Sequence, residues 1–174
     1  MKKLLIIIAI LIVFLPLNKP ASVTIPKDSI RFRVIANSNN EEDQKLKKEI
    51  VNNLKPEIAS LKYTPKNINN TRSSIQKELP KFEQIVENTL TNNNVKMSYS
   101  VDYGINYFPE KKYKGITYEE GEYESLIITL GDGLGKNFWC VLFPPLCLVE
   151  TDESQKDETV EYTSFIKEII DKYF

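Results

Sequence analysis

Two stretches of the chain place apolar residues three or four positions apart, which is the spacing of one face of a helix. The apolar positions are Leu46, Ile50, Leu54, Ile58 and Leu61 in the first stretch and Ile75, Leu79, Phe82, Val86 and Leu90 in the second. This spacing predicts two amphipathic helices. We expect a capping box from Ser38 to Glu41 at the start of the first helix. Pro56 is expected to kink or end that helix, and Pro80 to kink the second or begin a new one.

Alternation of apolar and polar residues, or a short apolar run, predicts strands elsewhere. We predict strands over residues 30–36, 95–103, 122–130 and 138–143. In the first of these, Arg31 and Arg33 occupy the polar positions of a half-buried strand. The glycine- and tyrosine-rich residues 104–121 indicate a long ordered loop or a small hairpin. The tail from Glu158 indicates a final amphipathic helix.

The two cysteines lie close together in the last predicted strand and the segment that follows it. Cys140 and Cys147 would be about 23 Å apart in an extended chain, whereas a disulfide needs Cα atoms within about 7 Å. The chain must therefore reverse between them, and Pro144 and Pro145 are the residues to do so. We predict a disulfide between Cys140 and Cys147; the alternative is two buried reduced thiols.

The first twenty residues have the composition of an export signal. Lys2 and Lys3 precede an unbroken apolar run over residues 4–15, which is typical of a signal peptide. A membrane span needs about 20 apolar residues, and Pro16 ends this run earlier. We predict a signal peptide or short anchor over residues 1–20 and one extracytoplasmic domain over residues 21–174.

These elements together predict an α+β fold for that domain. We expect an N-terminal strand, two helical segments, then a mostly antiparallel sheet with a disulfide-closed loop and a C-terminal helix. About 150 residues are enough to form one hydrophobic core. No internal repeat and no long linker divides the chain.

Composition narrows the possible functions. The chain has no histidine, which excludes Ser-His and Cys-His nucleophile pairs and histidine metal sites. The formal charge is −1, and the three lysines of the first twenty residues leave the remainder at −4. A mildly acidic domain lacks the basic footprint of a nucleic-acid-binding protein. We therefore expect no histidine-dependent catalysis, no structural zinc site and no nucleic-acid partner. We also expect no other metal, no cofactor and no small-molecule substrate.

Two motifs could be mistaken for active sites. The turn over residues 131–137 (GDGLGKN) is similar to a phosphate loop, but only three residues separate Gly131 from Gly135 and Asn137 follows the lysine. The glutamates at positions 119, 120, 122 and 124 are near neighbours along the chain. A glycosidase needs two carboxyl groups about 5 to 9.5 Å apart across the scissile bond. We interpret the first motif as a hairpin turn and the second as a solvated face.

Aromatic residues are abundant in the second half of the chain. They are Tyr103, Tyr107, Phe108, Tyr113, Tyr118, Tyr123, Trp139 and Phe143. Aromatic residues are enriched at binding hot spots, but a loop packed down by its own aromatics would give the same composition. Both interpretations stay open at this point.

Several segments resemble one family, stage II sporulation protein R of endospore-forming bacteria. They are residues 30–38 (IRFRVIANS), 42–47 (EDQKLK), 104–111 (GINYFPEK), Tyr113, 121–124 (GEYE) and 131–147 (GDGLGKNFWCVLFPPLC). The resemblance implies a signalling role without catalysis. It implies a protein secreted into the space between the forespore and mother-cell membranes. Its partner there would be a membrane-embedded aspartic protease, whose activation leads to processing of pro-sigma-E.

The aromatic and proline-rich segments are our candidates for contact with that receptor. The candidate residues are Tyr107, Phe108, Pro109, Trp139, Phe143, Pro144 and Pro145. We expect membrane contact only through the receptor or through an uncleaved N-terminal segment. Two other functions remain open from sequence: a secreted wall-binding or wall-modifying protein, and an anchored structural protein of the spore envelope.

Overall fold

The computed structural model of the chain describes residues 23–113, 116–148 and 159–174, the last range with side chains from Ile166 onward. The predicted signal peptide or anchor, residues 1–20, lies outside these ranges. Helices α1 (Glu41–Ser60) and α2 (Ile68–Asn92) are the two predicted from the apolar stripes, and α3 (Thr159–Tyr173) is the predicted C-terminal helix. The strands are β1 (Val23–Thr24), β2 (Ile30–Ile35), β3 (Tyr99–Phe108), β4 (Lys111–Tyr113), β5 (Ile116–Tyr118), β6 (Gly121–Leu130) and β7 (Asn137–Phe143).

Both long helices continue through their prolines. Pro56 lies inside α1 and Pro80 inside α2, so an end at Pro56 and a new start at Pro80 are ruled out. A proline removes one backbone hydrogen bond from a helix interior. The buried stripe continues beyond each proline, with Ile58 in α1 and Phe82 in α2, and packing of that stripe offsets the lost bond.

The residue that caps α1 is not the predicted one. Asn40 is the N-cap, and its Oδ1 accepts a hydrogen bond from the Asp43 amide at 2.7 Å. Ser38 lies two residues earlier and donates its hydroxyl to the Asp43 carboxylate at 2.6 Å. The predicted capping box from Ser38 to Glu41 is therefore wrong: the helix begins later, and Ser38 supports its first turn from outside.

The main sheet contains four strands in the order β3-β6-β2-β7. The pairs β3–β6 and β2–β7 are antiparallel, whereas β2 and β6 run parallel. The mostly antiparallel sheet and the α+β class are thus confirmed. Strand β2, the first of the predicted strands, lies in the interior of the sheet between β6 and β7. It is not half-buried as predicted, because Arg31 is buried on one face while Phe32 and Val34 are buried on the other.

The chain between β3 and β6 is more regular than a loop. Strand β3 begins at Tyr99 and runs on to Phe108, five residues beyond the predicted end at Tyr103. Strands β4 and β5 then form a small antiparallel hairpin, and β1 pairs parallel with β5 to complete a second, three-stranded sheet. The hairpin was one of the two expected forms; the extension of β3 was not expected.

The main sheet is covered on both faces. Helices α1 and α2 pack on one face, where Phe32, Leu126 and Phe82 belong to the principal core. On the other face, a second cluster joins the small sheet and α3 to β7, and it includes Ile25, Val141 and Ile166. Because this second face is also packed, some of the aromatic residues predicted to contact a partner are buried.

Candidate functional site

The predicted contact residues are not all on the surface. Tyr107 is 60% exposed and Pro109 is exposed, whereas Trp139 and Pro145 are half-buried. The remaining candidates, Phe108, Phe143 and Pro144, are buried. Because Phe108 and Phe143 are each only 1% exposed, replacing either with alanine would disturb packing rather than remove a surface contact.

The predicted disulfide between Cys140 and Cys147 is present. The two Cα atoms lie 5.6 Å apart, so the chain does reverse between them. The reversal is a turn at Pro144 and Pro145, followed by a short 3-10 helix (Leu146–Leu148), with a cis peptide bond before Pro144. The disulfide closes this turn onto the end of β7.

Phe108 and Trp139 take part in a layered arrangement of arginines and aromatic rings. The Arg31 guanidinium carbon lies 3.3 Å from the ring centroid of Tyr123 and 5.3 Å from that of Phe108. The Arg33 guanidinium carbon lies 5.1 Å from the Phe108 centroid and 5.3 Å from that of Trp139. Such contacts attract a cation to the negative face of the ring. We call these five residues the arginine–aromatic stack.

Burial removes both arginine guanidinium groups from water, although each stays positively charged. Arg31 is 2% exposed, and its Nη2 donates a hydrogen bond to the Glu119 carbonyl oxygen at 3.2 Å. Removal from water lowers the pKa of Arg31 and of Arg33. The Nε atoms of both are buried without a hydrogen-bond partner among the described residues. The aromatic faces therefore supply much of the compensation for desolvating the two cations.

The stack links elements that are distant in sequence. It joins β2 through Arg31 and Arg33, the end of β3 through Phe108, and β7 through Trp139. Phe108 and Trp139 also contact each other edge to face, with centroids 5.4 Å apart. The Phe108 and Trp139 side chains therefore pack together on the face of the sheet that the two long helices do not cover.

The exposed apolar surface at the end of β3, on the face opposite Phe108, was only partly predicted. Ile105 is 67% exposed and Tyr107 is 60% exposed. They continue the stripe of β3 that begins with Tyr99, Val101 and Tyr103, which pack partly against the principal core. We call Ile105 and Tyr107 the β3 tip. Ile105 was not among the predicted contact residues, although the alternation of β3 includes it when extended by one residue pair beyond Tyr103.

Acidic residues border the β3 tip. Glu122 lies opposite Tyr107 on β6, and Glu124 lies opposite Ile105. The Tyr107 hydroxyl donates to Glu120 at 3.4 Å. Glu124 is neutralised by Arg72, whose Nε lies 2.7 Å from a carboxylate oxygen. Glu120 and Glu122 are exposed, as the solvated-face interpretation predicts, whereas Glu119 and Glu124 are half-buried. Glu124 ties α2 to the sheet through its salt bridge with Arg72.

The glycine-rich turn after β6 is not the predicted hairpin turn, because β6 and β7 lie on either side of β2 and do not pair with each other. It is held by the segment that follows β2. The Leu134 amide donates to the Asn37 carbonyl at 2.9 Å, and the Gly135 amide donates to the Ala36 carbonyl at 2.8 Å. The Asp132 amide donates to the Asn37 side chain at 3.0 Å. Because these amides are engaged by protein groups, the turn does not present them to a phosphate.

Asp43 supports the same segment from α1. Its carboxylate accepts hydrogen bonds from Ser38 at 2.6 Å and from Asn37 at 2.9 Å. The Ser38 hydroxyl is the largest influence on the carboxyl group, and the pKa of Asp43 lies below its usual value. Residues 36–43 and the turn after β6 therefore form one hydrogen-bonded unit, which we call the turn clamp.

Within residues 23–113, 116–148 and 159–174, no helix is both long enough and apolar enough to cross a membrane. In the same ranges, no three cysteine or acidic side chains are grouped so that they could hold a metal ion.

Comparison with known proteins identifies the family. Residues 26–153 match the family described as Stage II sporulation protein R. Stage II sporulation protein R of Bacillus subtilis (strain 168) is 41% identical over 133 residues, which is 76% of this chain and 58% of that protein. The chain thus spans less than two thirds of the length of this relative. No solved structure matches. The family match includes β2–β7, the arginine–aromatic stack and the turn clamp, and the chain belongs to the stage II sporulation protein R family.

Proposed function

We propose that this protein is an exported sporulation signal that binds and activates a membrane-embedded aspartic protease, which then processes pro-sigma-E. Membership of the sporulation protein R family carries the proposal, since the matched residues 26–153 include every strand of the main sheet. We place the protein in the space between the forespore and mother-cell membranes. No cofactor and no nucleic acid takes part in this function.

Activation by binding has a thermodynamic requirement. A ligand shifts a receptor toward its active state only by binding that state more tightly than the inactive one. A rigid surface suits this task because little conformational entropy is lost when it binds. The β3 tip has this property: Ile105 and Tyr107 are exposed, but they lie on a strand that pairs with β6 along its whole length.

One way to favour an active protease is to stabilise its dimer. We propose this route for the protein, with the signal bound where two protease chains meet. Chemical crosslinking of membranes should then yield more protease dimer when the protein is added. An unchanged amount of dimer, under conditions in which processing occurs, would show that activation takes another route.

The function can be tested by reconstitution in vegetative cells that make the protease and pro-sigma-E. The full chain, expressed with its own N-terminal segment, should cause loss of the pro-sequence on an immunoblot. Residues 21–174 expressed without that segment provide the matched control, which should remain inside the cell and leave pro-sigma-E intact.

The outcomes of this experiment separate the proposals. Processing with the full chain alone supports both the signalling role and the need for export. Processing with both forms would contradict the proposed location. If the full chain is secreted and folded but a cognate protease stays inactive, the proposed function is wrong.

A further inference from the structure

We propose that the outer edge of β3, from Tyr103 to Tyr107, binds an extended segment of a partner protein by strand addition, and that this segment carries apolar and basic side chains. The proposal deepens the proposed function, on which it rests for the identity of the partner: the extracytoplasmic part of the protease. Strand addition gives affinity through backbone hydrogen bonds and specificity through alternate side chains.

The backbone geometry shows which residues face outward. The Gly131 amide donates to the Ser98 carbonyl at 2.7 Å, so these two residues form a hydrogen-bonded pair at the start of the β3–β6 ladder. Hydrogen-bonded pairs alternate along an antiparallel ladder. The unbroken register from Tyr99–Leu130 to Phe108–Gly121 therefore turns the even-numbered residues of β3 toward β6.

The odd-numbered residues of β3 consequently direct their amide and carbonyl groups away from β6. At the far end these residues are Tyr103, Ile105 and Tyr107. Strand β3 is at the edge of the sheet and has β6 as its neighbour there. Among the described residues, no backbone hydrogen bond joins these three residues to another element. The edge thus offers alternating donors and acceptors to a strand that approaches it.

The segment from Tyr103 to Tyr107 lacks the features that usually protect an edge strand from pairing, since the one charged side chain of β3, Asp102, precedes it. Natural edge strands often carry proline or lysine, or a bulge that twists them away. Strand β3 contains neither proline nor lysine over its ten residues, and its register with β6 is continuous. Its two most exposed apolar side chains, Ile105 and Tyr107, are at the end that the helices leave uncovered.

The charges nearby favour a basic partner. Glu120 and Glu122 are exposed beside Tyr107, and no salt bridge engages either carboxylate among the described residues. An added strand would lie two strand spacings, about 10 Å, from β6, so that the long side chains of lysine or arginine on it could extend across β3 to this acidic border. A second copy of this chain would bring a second acidic border to the interface, so a different protein fits the edge better.

A proline substitution at Ile105 tests the contribution of the backbone amide to binding. Ile105→Pro removes the outward amide, and because that amide does not bond to β6, the ladder of the sheet is retained. Proline is tolerated on edge strands when its nitrogen faces away from the sheet. Ile105→Thr is the matched control, since threonine keeps the amide and the β-branched shape. Both variants should be secreted, with melting temperatures near that of the wild type.

In the reconstituted cells, Ile105→Pro should reduce pro-sigma-E processing at least about tenfold, whereas Ile105→Thr should stay within about threefold of the wild type. If Ile105→Pro fails to fold, two other variants test the proposal. Glu122→Lys should also reduce processing, and a photoreactive benzoylphenylalanine in place of Tyr107 should crosslink to the protease.

Each outcome has a separate meaning. Absence of processing with wild-type protein refutes the proposed function. Normal processing with a folded Ile105→Pro refutes strand addition at this edge, and normal processing with Glu122→Lys refutes the basic character of the partner segment. A wild-type dimer in analytical ultracentrifugation that Ile105→Pro dissociates would assign the edge to a second copy, which also overturns the proposal. A photocrosslink to a protein other than the protease would overturn the assignment of the partner.

Discussion

The turn clamp makes a sharp prediction about Gly135. A Cβ added at this residue would lie 2.2 Å from the Ser38 carbonyl oxygen and 2.8 Å from the Ala36 Cβ. Non-bonded heavy atoms normally approach to about 3.5 Å. Gly135→Ala therefore requires the backbone of one segment to move by about 1 Å, which displaces the turn after β6 from the segment after β2.

The magnitude follows from the contacts that this shift would disturb. Forcing an extra carbon into a packed site costs about 1–3 kcal/mol. The hydrogen bonds that Gly135 and Leu134 donate to Ala36 and Asn37 contribute about 1 kcal/mol each. Replacing glycine with alanine also lowers the conformational entropy of the unfolded chain, which raises the free energy of unfolding by about 0.4–1 kcal/mol. We expect a net loss of about 2–4 kcal/mol in the free energy of unfolding, or about 10 °C in melting temperature for a domain of this size.

Gly104→Ala is the matched control. It makes the same chemical change in the same chain, but a Cβ at Gly104 meets no heavy atom within 4 Å. Its melting temperature should equal or slightly exceed that of the wild type, because glycine weakens a strand interior. Thermal unfolding followed by circular dichroism compares the two variants directly. Equal melting temperatures for Gly135→Ala and Gly104→Ala would refute the close approach on which the argument depends.

Three further predictions concern stability. Replacing Cys140 and Cys147 together with serine should lower the free energy of unfolding by about 2.5 kcal/mol on the chain-entropy model; an unchanged denaturation midpoint would contradict this. Phe108→Ala should cost about 3–5 kcal/mol as a buried aromatic, whereas the exposed Tyr107→Ala should cost less than about 0.5 kcal/mol, and urea titrations that give equal losses would disprove this contrast. The lowered pKa of Asp43 means that its contribution is complete above the ordinary carboxyl pKa, near 3.9, and is lost as the pH falls through the lower folded value. The melting temperature of Asp43→Asn should thus be below that of the wild type at pH 7 and approach it in strong acid; a constant difference would be inconsistent with titration of this group.

The local patterns predicted the helices well because they depend on nearby residues. The stripe from Leu46 to Ile58 is buried as expected, since residues three and four apart share a helix face whatever the rest of the chain does. The Cys140–Cys147 disulfide was predictable for a similar reason: its separation and the intervening prolines restrict the geometry.

The arginine–aromatic stack could not be predicted in this way. The alternation in the sequence predicted that Arg31 and Arg33 lie on the opposite face of β2 from Phe32 and Val34, and they do. That face is covered because residues from β3, β6 and β7 lie over it, and such pairings join segments far apart in the chain. For the same reason the sequence could not show that Phe108 is buried while its neighbour Tyr107 is exposed.

The position of β2 bears on when the domain can fold during synthesis. Arg31 pairs with Ser125 on one side and with Val141 on the other, which are 94 and 110 residues later in the chain. A ribosome that has made only residues up to 120 has synthesised both long helices and β2, but neither of the strands that flank β2. Contacts of such long range slow folding, and until they form the central strand is open to chaperones or to aggregation. Formation of the sheet therefore waits for the last third of the chain, and the domain stays unfolded until that part has been made.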